Sequence, residues 1–405
     1  MTDLALDPNP LAPDASRDFR IISVVAGAHF TSHFFMIALP PLFPLVREQW
    51  GVSYTELGFV MSVFFVSSAL GQVVSGFLVD RFGPHIVLPI GMAILAGSTM
   101  LMGLVPVYWM LLPLSMFAGL GNSVYHPADY SVLSNRITTG RIGRGYSMHT
   151  VMGTIGWAAP PVTMVTLGSY FGWQHALVIV GAIGLVIAAF VALDRADLEL
   201  PKIKAANPDQ KKAPISALFS LPIVMGFVFF TLLSMSLGVV QSFMTTILPQ
   251  VQSVSLAFAS TFTTIYFAVN ALGSVAGGWV ADRRGRFEST IAMGLVVAAV
   301  LMMAIGFIPM PTWALLAAGC VAGVVVGITL PSRDMLMRQA APAGSTGKVF
   351  GFVYSGLDVG ALLVPLCIGP MLDHGFYRLP FVYMAATLAL TIVSAWVVKR
   401  SAVAK

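Results

Sequence analysis

Charge is what this chain has least of. Asp, Glu, Lys and Arg make up only 10% of its 405 residues, against about 25% in typical soluble domains. So few charges cannot clothe a water-facing surface of this size, whereas a lipid-facing surface needs almost none. Cysteine is nearly absent as well. Cys320 and Cys367 both lie inside apolar runs, which excludes a disulfide framework and a cysteine metal site. No basic stripe interleaved with aromatics occurs, so the formal net charge of +5 does not mark a nucleic-acid partner. The first twenty residues are rich in Asp and Pro and lack the basic-then-apolar pattern of a secretory signal; they are expected to form a cytoplasmic tail. There is no phosphate-cradling glycine–lysine loop, no nucleophile–base pair and no metal-ligand spacing. An enzyme, an ATP-driven pump, a resident cofactor and a bound metal are therefore not expected.

What the chain has in abundance is long apolar runs. A helix needs about 20 apolar residues to cross a bilayer. Runs of that length start near Arg20, Tyr54, His85, Val107, Gly145 and Gln174, and again near Ile215, Leu256, Glu288, Thr312, Gly347 and Leu379. The expected organisation is a tail over 1–19, a six-helix bundle over 20–194, a polar linker over 195–214, a second six-helix bundle over 215–398 and a tail over 399–405. The fold class is an all-α membrane protein with twelve transmembrane helices, called spans 1 to 12 here. Basic residues orient it. With both termini in the cytoplasm, 19 of the 22 Lys and Arg residues fall on that side; Arg47 and Arg378 fall outside, and Arg333 lies within span 10.

The two sets of six are copies of one plan. After span 2 the chain reads Gly76-Phe77-Leu78-Val79-Asp80-Arg81-Phe82-Gly83, and after span 8 it reads Gly278-Trp279-Val280-Ala281-Asp282-Arg283-Arg284-Gly285, 202 residues later. Pro127 and Pro331, and Gly156 and Gly360, match at an offset of 204, and Gly172 and Gly375 at 203. Equal halves in parallel orientation are a transporter arrangement, with cargo handled between them.

The doubled Gly-x-x-x-Asp-Arg-x-Gly stretch and the six-linker-six plan resemble the major facilitator superfamily, from about Arg20 to Arg400. Span 5, with Gly153, Gly156, Pro160 and Pro161, is similar to that family's Gly- and Pro-rich fifth helix. The resemblance implies alternating-access transport of a small solute through a cavity lined by spans 1, 4, 7 and 10 with 5, 8 and 11. Span 4 lacks the Arg-x-x-Gln-Gly-x-Gly pattern of many proton-driven drug exporters, reading Ser115-Met116-Phe117-Ala118-Gly119-Leu120-Gly121 instead. Tyr125-His126-Pro127 resembles span 4 of fosmidomycin-resistance-type members.

Ionisable groups within spans are costly, so each is a functional candidate. Substrate contact is expected from His29 and His33, one turn apart on span 1; from Asn122, Tyr125 and His126 on span 4; and from Gln241, Asn270, Arg333 and Tyr354. Arg333 can grip a carboxylate through two parallel hydrogen bonds. Asp129, His149 and Asp358 are candidates for proton coupling, with Asp358 a possible neutralising partner of Arg333 and Asp334 the alternative. Asn122, His126 and Asp129 align on one face if span 4 is a continuous helix. His29 and His33 alone do not make a metal site, and spacing places no third ligand beside them. The paired loop motifs are expected to form a cytoplasmic gate. Asp80 would face the start of span 11 and Asp282 the start of span 5, where the positive helix end attracts a carboxylate, with Gly76, Arg81, Gly83, Gly278, Arg283 and Gly285 shaping the two loops. Small residues recurring every fourth position, such as Ser67, Gly71 and Ser75, are read as helix packing.

The expected function is proton-coupled secondary transport of a small organic anion such as a carboxylate, by a monomer in the bacterial inner membrane. Its partners are a small-molecule substrate, a proton or other coupling ion, and the lipid bilayer. The competing reading is proton-driven efflux of a drug or metabolite. A membrane sensor on the same scaffold would need an extra domain, and none is visible.

Overall fold

In the computed structural model, residues 15–200, 219–284, 286–340 and 346–403 are described. The chain is almost entirely helical. Span 1 is α1 (Ala15–Met36), continued through a 3-10 turn at Pro40–Leu42 into α2 (Phe43–Trp50). Spans 2 and 3 are α3 (Tyr54–Phe82) and α4 (Pro84–Met102). Span 4 is two short helices, α5 (Leu111–Asn122) and α6 (Tyr125–Arg136), followed by α7 (Ile142–Phe171) and α8 (Trp173–Leu193). The second six are α9 (Leu221–Gln252), α10 (Leu256–Arg284), α11 (Phe287–Phe307), α12 (Thr312–Ala340), α13 (Thr346–Asp373) and α14 (Leu379–Val403). Lys202, Lys204, Lys211 and Lys212 of the expected linker lie outside the described residues.

Among the described residues, ten helical segments are long and apolar enough to cross a membrane. The two crossings missing from that set are span 4 and span 5, which carry His126, Asp129 and His149. Polarity is concentrated where the candidate site lies.

Span 4 is not the continuous helix expected. Ser123 and Val124 form a turn between α5 and α6. Pro127 has no N–H to offer the Ser123 carbonyl one turn earlier, which is enough to interrupt the ladder. Ser123 and Val124 keep right-handed helical backbone angles, so the two short helices stay roughly in line. Asn122 accepts from Ser32 Oγ at 2.7 Å and donates to Ser68 Oγ at 3.0 Å, and His126, four residues on, faces Gln72, four residues after Ser68, tying span 4 to spans 1 and 2.

The sequence repeat recurs in the packing. In the first half α1 packs on α7, α3 on α5, and α4 on α5 and α8; in the second, α9 packs on α13, α10 on α12, and α11 on α12 and α14. The same glycines mediate both sets. A Cβ on Gly119 would strike Ser67 and the Phe64 carbonyl, and one on Gly323 the Tyr266 carbonyl; a Cβ on Gly156 would strike the Phe30 carbonyl, and one on Gly360 the Thr231 carbonyl. These stripes let backbones touch, as packing in lipid favours. Gly83 and Gly172 each serve as the one residue between two helices, at φ +82° and +84°, a conformation that side chains with a Cβ rarely adopt. The halves meet through two helix pairs, α3 with α13 and α7 with α10.

Overpacking a closed helix crossing costs about 1–3 kcal/mol. Gly323→Val is expected to lower the melting temperature of the detergent-purified protein by several degrees. Gly27→Ala, where a Cβ meets nothing within 4 Å, is expected to leave it unchanged.

Candidate functional site

The first half contributes a buried imidazole cluster. His29 and His149 stack face to face with ring centroids 3.5 Å apart, and His33 stacks on Trp157 at 4.3 Å. The His126 ring lies 5.3 Å from His29 and 6.3 Å from His33. Gly153 makes room, since a Cβ there would run into the rings of both His29 and His33. His29 Nδ1 donates to the His149 carbonyl at 2.7 Å and His33 Nδ1 to the Gly153 carbonyl at 2.8 Å. His149 Nε2 and Asp129 Oδ2 share a hydrogen bond of 3.0 Å, with side chains 2% and 0% exposed. Two buried acceptors here have no partner: Asp129 Oδ1 and His29 Nε2. An orphaned buried acceptor costs about 1–3 kcal/mol, so these two atoms have lone pairs open to a donor.

The second half contributes a caged cation. The Arg333 side chain is 12% exposed. Its Nε donates to Asp334 Oδ1 at 2.8 Å, its Nη2 to the Tyr354 hydroxyl at 3.5 Å, and Tyr354 in turn donates to Asp334 Oδ1 at 2.8 Å. Its guanidinium carbon sits 4.7 Å from the centroid of the Phe230 ring, a cation–π contact. The remaining guanidinium N–H groups make no hydrogen bond among the described residues.

Arg333 does not pair with Asp358, the partner considered from the sequence. Asp334 is the next residue along α12 and reaches Nε first. Asp358 is half-buried and has no hydrogen bond or ion pair among the described residues. The partner of Arg333 under the repeat is informative. At the offset of 204 that relates Pro127 to Pro331, Asp129 corresponds to Arg333. The two copies have diverged to opposite charge at equivalent positions.

Tyr130 joins the two clusters. Its ring lies 5.8 Å from that of His126 and 5.2 Å from that of His149. It is also within electrostatic reach of Arg333 and Asp334 across the divide. The sequence reading missed it, although its position four residues after His126 puts it on the same face of α6. Trp157, four residues after Gly153 on α7, was missed in the same way.

The other candidates fall into helix contacts or stand apart. Tyr125 is 1% exposed, its hydroxyl 3.4 Å from Thr31 Oγ1. Asn270 donates to the Gly323 carbonyl at 3.2 Å, which joins α10 to α12. Gln241 is half-buried and makes no hydrogen bond among the described residues. Asp80, Arg81, Asp282 and Arg283 are exposed, and Gly76, Gly83 and Gly278 are part-exposed. Neither Asp80 nor Asp282 has a hydrogen bond or ion pair among the described residues, and Gly285 lies outside them.

A helix-end latch does exist, at the opposite end of the bundle. Asp373, the last residue of α13, accepts from the backbone N–H of Tyr54 at 2.7 Å and of Thr55 at 2.9 Å, and from Thr55 Oγ1 at 2.5 Å. Its carboxylate thus caps the N-terminus of α3 from the other half, where the helix dipole is positive. Arg47 donates to the same carboxylate at 3.0 Å. Around it Ser62 Oγ donates to the Leu362 carbonyl at 3.1 Å, and Gly58 and Gly369 allow backbone-close contact with Pro365 and Thr55. Val162 N–H donates to Thr264 Oγ1 at 3.2 Å, and Phe43 meets Phe243 at 5.8 Å, on the same side. The halves are sealed together at the end remote from where α1 begins.

The chain matches the family model described as Major Facilitator Superfamily over residues 25–260 and 232–405. It is 24% identical over 392 residues to the "Probable sulfoacetate transporter" of Cupriavidus necator, covering 91% of each chain. It is equally similar, 24% over 387 residues and 91% of each chain, to the "Fosmidomycin resistance protein" of Escherichia coli. Among solved structures it superposes on a bacterial homologue of the human lysosomal transporter Spinster with a TM-score of 0.79 at 16% identity, covering 96% of this chain and 98% of the other.

Breaking the Asp373 cap is expected to open the sealed end. Charge-assisted bonds of this kind are worth about 1.5–3 kcal/mol, or roughly 10–100-fold in the balance of conformers. With both native cysteines replaced by Ser, a cysteine introduced as Ser62→Cys is expected to react with a soluble thiol reagent at least about tenfold faster once Asp373→Ala is added. Equal rates would show that the seal does not rest on Asp373.

Proposed function

The chain belongs to the Major Facilitator Superfamily, and we propose that it moves a small organic anion, such as a carboxylate, across the bacterial inner membrane in company with a proton. In this reading it works as a single polypeptide with both termini in the cytoplasm. The observation that carries it is the Arg333 guanidinium, largely buried with N–H groups to spare among the described residues, and within electrostatic reach of Tyr130 of the other half.

Charge balance supplies the coupling. Arg333 is already neutralised by Asp334, whose side chain is 38% exposed, so a carboxylate arriving at the free guanidinium face leaves one uncompensated negative charge that loses its remaining water when the loaded site closes. An unpaired buried charge costs several kcal/mol, and uptake of one proton removes it. The acceptors within the spans are Asp334 itself, Asp358, which has no partner among the described residues, and the Asp129–His149 pair, whose second Asp129 oxygen makes no hydrogen bond there. Once neutral, the loaded site no longer holds the halves apart, and the Asp80 and Asp282 loops can close on the opposite helix starts as the Asp373 seal lets go. A relative named for transport of sulfoacetate, a small anion carrying a carboxylate, supports the cargo class. The equally similar fosmidomycin-resistance relative favours a second reading, export of an anionic compound in exchange for protons.

Reconstituted vesicles with an imposed pH gradient separate these. Uptake down the proton gradient is expected for the symport reading, and release against it for the exchange reading. Arg333→Lys keeps the charge but loses the planar fork and is expected to weaken cargo binding by about 2 kcal/mol, roughly 30-fold; Arg333→Ala should abolish transport. Asp358→Asn should retain cargo binding and lose part of the response to the pH gradient. Normal transport by Arg333→Ala would refute the anion site. So would thermal stabilisation of the wild-type protein by neutral or cationic compounds only.

A further inference from the structure

We propose that His29, His33 and His126 bind a divalent transition-metal cation of the Zn2+, Co2+ or Ni2+ type through their Nε2 atoms. One ring nitrogen of each lies within 4.8 Å of the others. The identity of the free nitrogens follows from their neighbours. His29 Nδ1 and His33 Nδ1 face backbone carbonyls, and His126 Nδ1 faces Gln72 Oε1 at 3.4 Å. A carbonyl oxygen only accepts, so each neutral ring carries its proton on Nδ1 and presents a lone pair at Nε2. That is the arrangement in which metal-bound histidines are held, with the second nitrogen anchored to an oxygen. His29 Nε2 is buried without a partner of any kind.

The rings are held in place before any ion arrives. His29 rests on His149, His33 on Trp157, and the bare Gly153 backbone lets the first two rings share one face of α7. Metal–nitrogen bonds of about 2.0–2.1 Å bring tetrahedral ligands to about 3.3 Å from one another, so closure asks for about 1.5 Å at most, within reach of side-chain rotation at half-buried His126. The donor set selects the ion. Three imidazoles with no carboxylate or thiolate suit Zn2+, Co2+, Ni2+ and Cu2+, whereas Mg2+ and Ca2+ require oxygen. Three ligands also leave a coordination position open for water or another oxygen donor.

Metal binding needs no cargo, so the two properties can be tested apart. The full-length protein, purified with a tag lacking histidine and stripped with a chelator, is titrated with Co2+ while its visible absorption is followed. The expected result is one equivalent bound per chain, with d–d bands of nitrogen coordination and a rise in melting temperature. His126→Ala, whose side chain has only a long hydrogen bond to lose, and His33→Gln should each weaken binding at least about 100-fold, while the unliganded variants elute as monodisperse as the wild type. An unaltered Co2+ isotherm in both variants, or no saturation by millimolar Co2+ in the wild type, would overturn the proposal. Organic-acid transport is measured with chelator present throughout. Its survival there keeps the Arg333-centred reading whatever the Co2+ titration shows, and its loss in Arg333→Ala leaves the metal result standing.

Discussion

A charge or polar atom that cannot reach water must find a partner inside the protein, and in hydrocarbon that requirement is severe. The arrangement of this molecule follows from it. Most basic residues among the described ones lie at or near helix ends, within reach of water. Within the spans, Arg333 has Asp334, Tyr354 and the Phe230 ring, and Asp129 has His149; Asp358 has no such partner among the described residues. Close helix crossings depend on the same rule. Glycine and serine stripes bring backbones together where there is no water to supply the missing contacts, and buried hydroxyls such as Ser115 Oγ, donating to the Val60 carbonyl at 2.6 Å, spend their hydrogen bonds on neighbouring helices.

Duplication gave the chain two equivalent halves, and divergence then made them complementary. Equivalent crossings pack through equivalent glycines, yet the position that holds Asp129 in one half holds Arg333 in the other. The offset of 201 that relates the Phe30 and Thr231 carbonyls also relates His29 to Phe230. A polar ring stacked on an imidazole in the first half thus corresponds to an apolar ring beneath a guanidinium in the second. One half offers lone pairs and exchangeable protons; the other offers a fixed cation. The proposed transport would use both.

The spans were legible because each is a long local signal. Helices begin at Tyr54, Leu256, Thr312 and Leu379, where the apolar runs start. The repeat was legible because register-matched glycines and prolines survive divergence. What escaped was set by packing between helices. His126 joins His29 and His33 because α6 packs against α1, a contact between helices that spacing along either one does not announce. Asp334 outcompetes Asp358 for Arg333 on proximity, which spacing along separate helices cannot rank. Tyr130 belongs to the site through ring contacts with two other spans. The helix-end latch was expected at the paired Asp-Arg loops; the one that is formed uses Asp373, which no repeated motif announces.

That Asp373 cap has an energetic meaning beyond holding two helices together. A ligand can shift a conformational equilibrium only by the difference in its affinity for the two states. With one end fastened by a carboxylate on a helix start and Asp80 and Asp282 without partners among the described residues, the proposed transport cycle would have a threshold to cross. In that cycle a compound that binds both arrangements equally leaves the balance where it was. Only one that binds the alternative arrangement more tightly by at least the strength of the fastening can turn the carrier over. Selectivity in that cycle would be exercised twice, at the site and at the hinge between populations, with the second filter at the end of α13, on a different helix from the arginine proposed to hold the cargo.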